Sequence, residues 1–200
     1  MKRHAPATAR NSAAIAKVLG KELPKTGSVV EIASGSGEHA VYFARQFPDT
    51  VWYPTDYEVD ALHSIRAWTD EAGLPNIAAP QKLDASNPPW DIPPADAIFC
   101  SNLVHISPWA ASVGLFAGAA ATLRGHAPLI LYGPFLEAAI NTAQSNLDFE
   151  ASLKARNTQW GLRNTDDLDA LARDAGLART ARYPMPANNL ILVYRRKHDN

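Results

Sequence analysis

One stretch constrains the fold more than any other. A compact β-rich run from Ser28 to Ala33 leads straight into Ser34-Gly35-Ser36-Gly37, after which Ala40, Phe43, Ala44 and Phe47 fall at i, i+3, i+4 and i+7 before Pro48. A short apolar run followed, across a glycine turn, by a 3.6-residue period defines a buried strand feeding a helix. Glycine is needed where the chain takes a positive φ or where a ligand meets the backbone, and the helix that follows offers unpaired N–H groups at its start. Such a unit belongs to a parallel sheet covered by helices on both faces.

The rest of the chain repeats it. Val51 to Thr55 reads as a second strand ending at Asp56, and Ala61, Ile65, Trp68 and Ala72 mark a helical face that Gly73 closes. Asn76 to Leu83 is a weaker third run ending at Asp84, and a proline-rich loop through Trp90 leads to a fourth, Ala97 to Val104. Ser107 and Pro108 suit the N-cap and first position of a helix whose core face would be Trp109, Val113, Phe116, Ala120 and Leu123. Pro128 to Tyr132 is the fifth strand. From Phe135 to Asn164 the alternation pauses in a polar segment carrying Trp160, which predicts an insertion or lid. Thr165 caps a helix with Leu168, Leu171, Ala172 and Ala175 inward and Gly176 at its end. Leu177 to Met185 and Asn189 to Tyr194 are then two strands joined by Pro186-Ala187-Asn188, an antiparallel pair at one edge. The 200 residues read as one α/β domain, 1–200, with an insertion at 135–164.

Charge and composition exclude several classes. A formal net charge of -1 gives no long-range field toward nucleic acid or an anionic membrane, and Arg195, Arg196 and Lys197 read as a solvated strand end. Cys100 stands alone, so neither a disulfide within the chain nor a cysteine zinc site is expected, and a reducing, cytoplasmic setting fits. The longest apolar stretch, Val113 to Leu123, is about half of what spans a bilayer. Arg10 and Lys17 interrupt any signal-peptide core, although the lack of acidic residues before Glu22 gives a faint likeness to an organellar transit peptide. No His/Asp/Glu spacing reads as a metal site.

The chemistry gathers at the ends of the first three strands. Gly35 and Gly37 let a ligand approach the backbone, Asp56 can accept both hydroxyls of an adenosine ribose, and Asp84 can accept the exocyclic amine of adenine. All three lie at the carboxyl edge of one parallel sheet, where open α/β folds bind ligands. Gly35, Gly37 and Ala40 also satisfy the dinucleotide spacing, with Asp56 as ribose acid, so a nicotinamide oxidoreductase is the rival. Three features favour a single adenosine with a methionine arm: Glu31 inside the first strand, suited to an ammonium group; a chain short for two domains; and the antiparallel end.

The segment Val-Val-Glu-Ile-Ala-Ser-Gly-Ser-Gly at 29–37 is similar to the first motif of class I S-adenosylmethionine-dependent methyltransferases. More narrowly, the chain resembles the DUF938 family, also called methyltransferase-like 26 proteins. The likeness runs through Arg10-Asn11, residues 31–35, Ser-Asn-Leu-Val-His-Ile-Ser-Pro-Trp at 101–109 and Tyr-Gly-Pro-Phe at 132–135. It continues in Ser145-Asn146, Trp-Gly-Leu-Arg at 160–163 and Met-Pro-Ala-Asn-Asn at 185–189. The resemblance implies a Rossmann-like three-layer sandwich with a seven-stranded, mostly parallel sheet whose last strand is antiparallel. It further implies S-adenosylmethionine as cofactor and methyl transfer to a substrate it does not identify, here expected to be a small molecule. A non-catalytic S-adenosylmethionine binder would keep the same residues. One departure is Ala33, which stands where the motif's first glycine is usual.

Roles follow for individual residues, each beside a structural alternative. Glu31, Ala33, Gly35, Gly37, Asp56, Asp84 and Asn102 are assigned to the cofactor, and Arg10 to its carboxylate unless it is a surface arginine of a first helix. His105 after the fourth strand can act as a base, or can fix a loop. Tyr132 is the second catalytic candidate. Phe135, Asn146, Trp160 and Arg163 are assigned to the substrate; the alternative for the last two is an insertion pinned by one tryptophan.

Overall fold

The computed structural model describes residues 1–197. A helix, α1 (Pro6–Glu22), precedes the alternation. Then come β1 (Gly27–Ile32), α2 (Glu38–Gln46), β2 (Thr50–Asp56), α3 (Val59–Ala72), β3 (Gln81–Lys82) and β4 (Ala97–Ser101). They are followed by α4 (Trp109–Thr122), β5 (Leu129–Gly133), α5 (Gln144–Arg156), α6 (Thr165–Asp174), β6 (Leu177–Met185) and β7 (Asn189–Arg196). The seven-stranded sheet has the order β3-β2-β1-β4-β5-β7-β6. Pairing is parallel from β3 through β5, and β7 is antiparallel to both its neighbours. This is the α/β sandwich expected from the sequence, with the reversed strand inside the sheet and β6 at its edge.

Successive side chains of a strand point to opposite faces, and here both faces are covered, so the central strands are apolar on both faces but for the buried Glu31 of β1 and their end residues. Val30, Ile32, Ile98, Cys100, Leu129 and Leu131 pack with Leu115 and Phe116 of α4 and Leu168 and Ala172 of α6. Val29, Ala97, Phe99 and Ile130 pack on the other side with Ile15 and Leu19 of α1 and Ala40 and Phe43 of α2.

Four boundaries differ from expectation. β4 stops at Ser101, because Asn102 takes φ 61° and residues 103–105 turn into one 3-10 helix. The third run shrinks to β3 plus a single bridge from Ile77 to Trp52, since Pro80 between them cannot donate to a ladder. The Ser107 hydroxyl donates to the Leu103 carbonyl rather than capping α4, whose N-cap is Pro108. Asn164, one residue before the expected Thr165, caps α6 by accepting the Asp166 N–H.

The face of α4 is also rotated: Trp109 and Val113 are 38% and 43% exposed, while Ala111, Leu115, Phe116 and Ala119 are buried. Gly114 and Gly118 explain the shift. A Cβ on Gly114 would lie 2.2 Å from the Ala85 carbonyl oxygen, and one on Gly118 2.3 Å from the Trp90 ring. The bare backbone lets α4 close upon the loop that carries Asp84, so small residues mark its inner side together with Leu115 and Phe116. The 135–164 segment holds α5 and leaves and rejoins the sheet at one place, where Leu136 donates to Arg163 and Thr165 donates to Leu136. Among the described residues no helix is long and apolar enough to cross a membrane.

Candidate functional site

The turn after β1 is built from left-handed residues: Ala33 at φ 58°, Gly35 at 59° and Gly37 at 92°. A Cβ on Gly37 would also lie 2.7 Å from the Ile65 Cα, so this glycine lets α3 approach. Asp56, at the end of β2, ties the turn down. Its Oδ2 accepts the Gly35 N–H at 2.9 Å and its Oδ1 accepts the Glu58 N–H at 2.9 Å. Asp84 accepts both the N–H and the hydroxyl of Ser86 on Oδ1.

Ala33, Gly35, Asp56 and Asp84 border one cavity of about 790 Å³ at the carboxyl edge of the sheet, together with Arg3, Tyr57, Leu103, Ile106, Asn157 and Trp160. Left-handed backbone costs a side-chain-bearing residue about 1 kcal/mol, which glycine avoids. Ala33→Gly is therefore expected to raise stability by about 0.5–1 kcal/mol in urea unfolding. A loss would mean that the alanine methyl contributes more by packing than the strain removes.

The remaining assigned residues divide. Glu31 points to the opposite face of β1, where the Trp52 indole N–H donates to Oε2 at 2.8 Å. Burial pushes its carboxyl up to about 8, opposed by the hydrogen bonds from Trp52 and Ser34, which favours the neutral form, and it does not border the cavity. Arg10 is exposed on α1; the cation that borders the cavity is Arg3. The first residues fold back to place it: Trp68 donates to the Arg3 carbonyl, the Arg3 N–H donates to Ser64, and Lys2 pairs with Glu71 at 2.6 Å. Asn102 sits beside the cavity through its neighbour Ser101, to whose hydroxyl its amide donates.

His105 is fully buried, stacked edge-on against Phe135 with ring centroids 4.8 Å apart. Gly133 makes room for it, because a Cβ there would lie 2.4 Å from Nε2. Burial, and then the Arg163 guanidinium, push its pKa down to about 3 against an upward pull from the Gly161 backbone, and neither ring nitrogen has a partner of good hydrogen-bond geometry. Tyr132 is buried among residues of α1 and α2, its hydroxyl raised by burial and bonded to Asn11. Neither catalytic candidate borders the cavity.

Of the four substrate candidates, only Trp160 borders it. Phe135 and Asn146 line a separate cavity of about 220 Å³ between α5 and the β6–β7 hairpin, where the Asn146 amide donates to the Asn188 carbonyl. Arg163 spends its guanidinium on the carbonyls of Val104, Ser107 and Gln159. The sequence reading missed Arg3, Leu103, Ile106 and Tyr57. Tyr57 had a signal, being an aromatic directly after the proposed ribose acid, and it is 59% exposed.

A glycine turn and two carboxylates on one cavity, at the carboxyl edge of this sheet, define a protein of the class I methyltransferase fold. The mitomycin 7-O-methyltransferase MmcR is similar at 16% identity and TM-score 0.81, over 96% of this chain and 54% of that one. CalO1, a methyltransferase of calicheamicin biosynthesis solved in its SAH-bound form, is similar at 17% identity and TM-score 0.75, over 93% and 54%. An O-methyltransferase family 2 protein from Planctomyces limnophilus, solved with apigenin, matches at 18% identity and TM-score 0.81, over 96% and 60%. The chain thus spans a little over half the length of these three proteins. It belongs to the family described as protein of unknown function DUF938, which it matches over residues 2–196.

Proposed function

We propose that the protein binds S-adenosylmethionine in the large cavity and transfers its methyl group to a small molecule. The observation that carries this reading is the meeting of Gly35, Asp56 and Asp84 on one cavity of about 790 Å³, a size suited to a small-molecule ligand. Asp56 would hold the ribose hydroxyls and Asp84 the adenine amine, and the turn residues would lie along the methionine arm. The likeness to CalO1, whose structure carries SAH, supports the same choice over a dinucleotide. When bound, the cofactor supplies an electrophilic methyl on a sulfonium whose leaving group departs neutral. The chain's own tasks are alignment and exclusion of water; His105 and Tyr132 do not border the cavity and are not in position to take a proton there.

Calorimetry is expected to give a binding isotherm with S-adenosylhomocysteine and none with NAD; the reverse would overturn the assignment. Asp56→Ala should weaken S-adenosylhomocysteine binding by roughly 1.5–3 kcal/mol, the loss of hydrogen bonds to a charged acceptor. Unfolding of the same variant separates this from its link to Gly35: unchanged affinity would leave Asp56 as a support of the turn alone. The second reading, a binder without turnover, is favoured by the burial of both base candidates. Transfer of labelled methyl to members of a metabolite panel decides between the two.

A further inference from the structure

We propose that Arg163 is a positioning residue that acts through Trp160, holding residues 157–163 as a cover over the large cavity and fixing the gap between its two walls. The proposal rests on the cavity being the cofactor site. The Arg163 fork donates from Nε to the Val104 carbonyl at 2.7 Å and from Nη2 to the Ser107 carbonyl at 2.8 Å and the Gln159 carbonyl at 3.0 Å. Two of these acceptors belong to the turn after β4, and the third belongs to the cover itself. The Gly161 N–H adds a parallel bond to the His105 carbonyl at 3.0 Å. Leu103 and Ile106 on that turn, and Asn157 and Trp160 on the cover, border the same cavity. One planar guanidinium therefore sets the distance between the two walls, a task that suits arginine and not lysine.

Trp160 is not what pins the segment to the body. That is done by Leu153 and Leu162, which are 0% and 6% exposed, whereas Trp160 is half-buried and belongs to neither core cluster. Its ring meets the Arg156 guanidinium at 5.5 Å from the centroid and otherwise presents itself to the cavity. A large aromatic hung by polar bonds beside a cavity, rather than buried by apolar packing, has surface left to close on a ligand.

The test is binding of S-adenosylhomocysteine, at equilibrium and by stopped flow, to the parent, Arg163→Ala, Arg163→Lys, Trp160→Ala, Trp160→Phe and the double alanine variant. Arg163→Ala and Trp160→Ala should each raise Kd about tenfold, through faster dissociation, and the double variant should be no worse than the worse single one. Trp160→Phe should stay within about threefold of the parent, because a second ring still covers the site, and Arg163→Lys should fall between parent and alanine. Parental affinity in Trp160→Ala would overturn the cover. Losses that multiply in the double variant would show that Arg163 does not act through Trp160. If Arg163→Ala fails to fold, the two Trp160 variants still decide whether the cover exists. A parent that binds no S-adenosylhomocysteine is a different result, which removes the cofactor reading and the cover with it.

Discussion

Gly37→Ala is expected to destabilise the protein by roughly 2–4 kcal/mol, the sum of a packing conflict and a backbone penalty. The conflict is with main chain: the new Cβ would stand 2.7 Å from the Ile65 Cα and 3.3 Å from its Cβ, so α3 itself must retreat. The penalty arises because φ is 92°, a conformation that L side chains rarely adopt. Gly35→Ala is the control. Its φ of 59° is also left-handed, but a Cβ there meets nothing within 4 Å, so only the strain of about 1 kcal/mol remains. Urea unfolding of the two variants should differ by the cost of moving α3. Equal losses would mean that α3 yields freely and that Gly37 is there for the turn alone.

What the sequence disclosed depended on whether the signal was local. Gly35 and Gly37 announced positive φ by their own chemistry, and Pro186-Ala187-Asn188 announced the reversal into β7, where Ala187 and Asn188 adopt φ near 56° and 55°. Helix faces built on a regular apolar period, such as Leu168 and Ala172, were legible from that period. α4 was legible at Phe116 and Leu123 but not at Trp109 and Val113, because part of its inner side is set by what approaches Gly114 and Gly118 from a loop distant in sequence. Site residues divided in the same way. Asp56 and Asp84 follow strands and so fall at the carboxyl edge wherever the fold is right. His105 and Arg163 could not be placed, since one residue of extra strand or turn after Ser101 decides whether a side chain faces the cavity or the core. Arg163 and His105 meet through the three-way junction of the 103–107 turn, the cover and β5, which no local pattern encodes.

Stability is expected to peak near pH 6.5 and to fall on both sides, for reasons written into three buried groups. Glu31 is raised from 4.5 to about 8 by burial, while burial lowers His39 from 6.5 to about 4 and His105 from 6.5 to about 3. A carboxyl raised in the folded state favours folding fully below its unfolded value and loses that contribution as pH rises to about 8; a histidine lowered in the folded state opposes folding as pH drops below 6.5. Between pH 4.5 and 6.5 the unfolded chain carries two imidazolium protons that the folded chain lacks, and the folded chain keeps one carboxyl proton that the unfolded chain has lost. The unfolded state thus binds one more proton, and stability rises with pH by about 1 kcal/mol per unit. From 6.5 to 8 only the Glu31 proton differs, the sign reverses, and about 2 kcal/mol is lost. Below 4.5 both histidines act unopposed, and the acid limb becomes about twice as steep. Glu31→Gln keeps an acceptor for the Trp52 indole and cannot ionise, so its alkaline limb should be flat between pH 6.5 and 8. His39→Gln should remove one of the two histidine protons and bring the slope between 4.5 and 6.5 near zero. Urea unfolding from about pH 3.5 to 9 on the three proteins checks each limb separately, and an alkaline fall that survives in Glu31→Gln would show that a group other than Glu31 produces it.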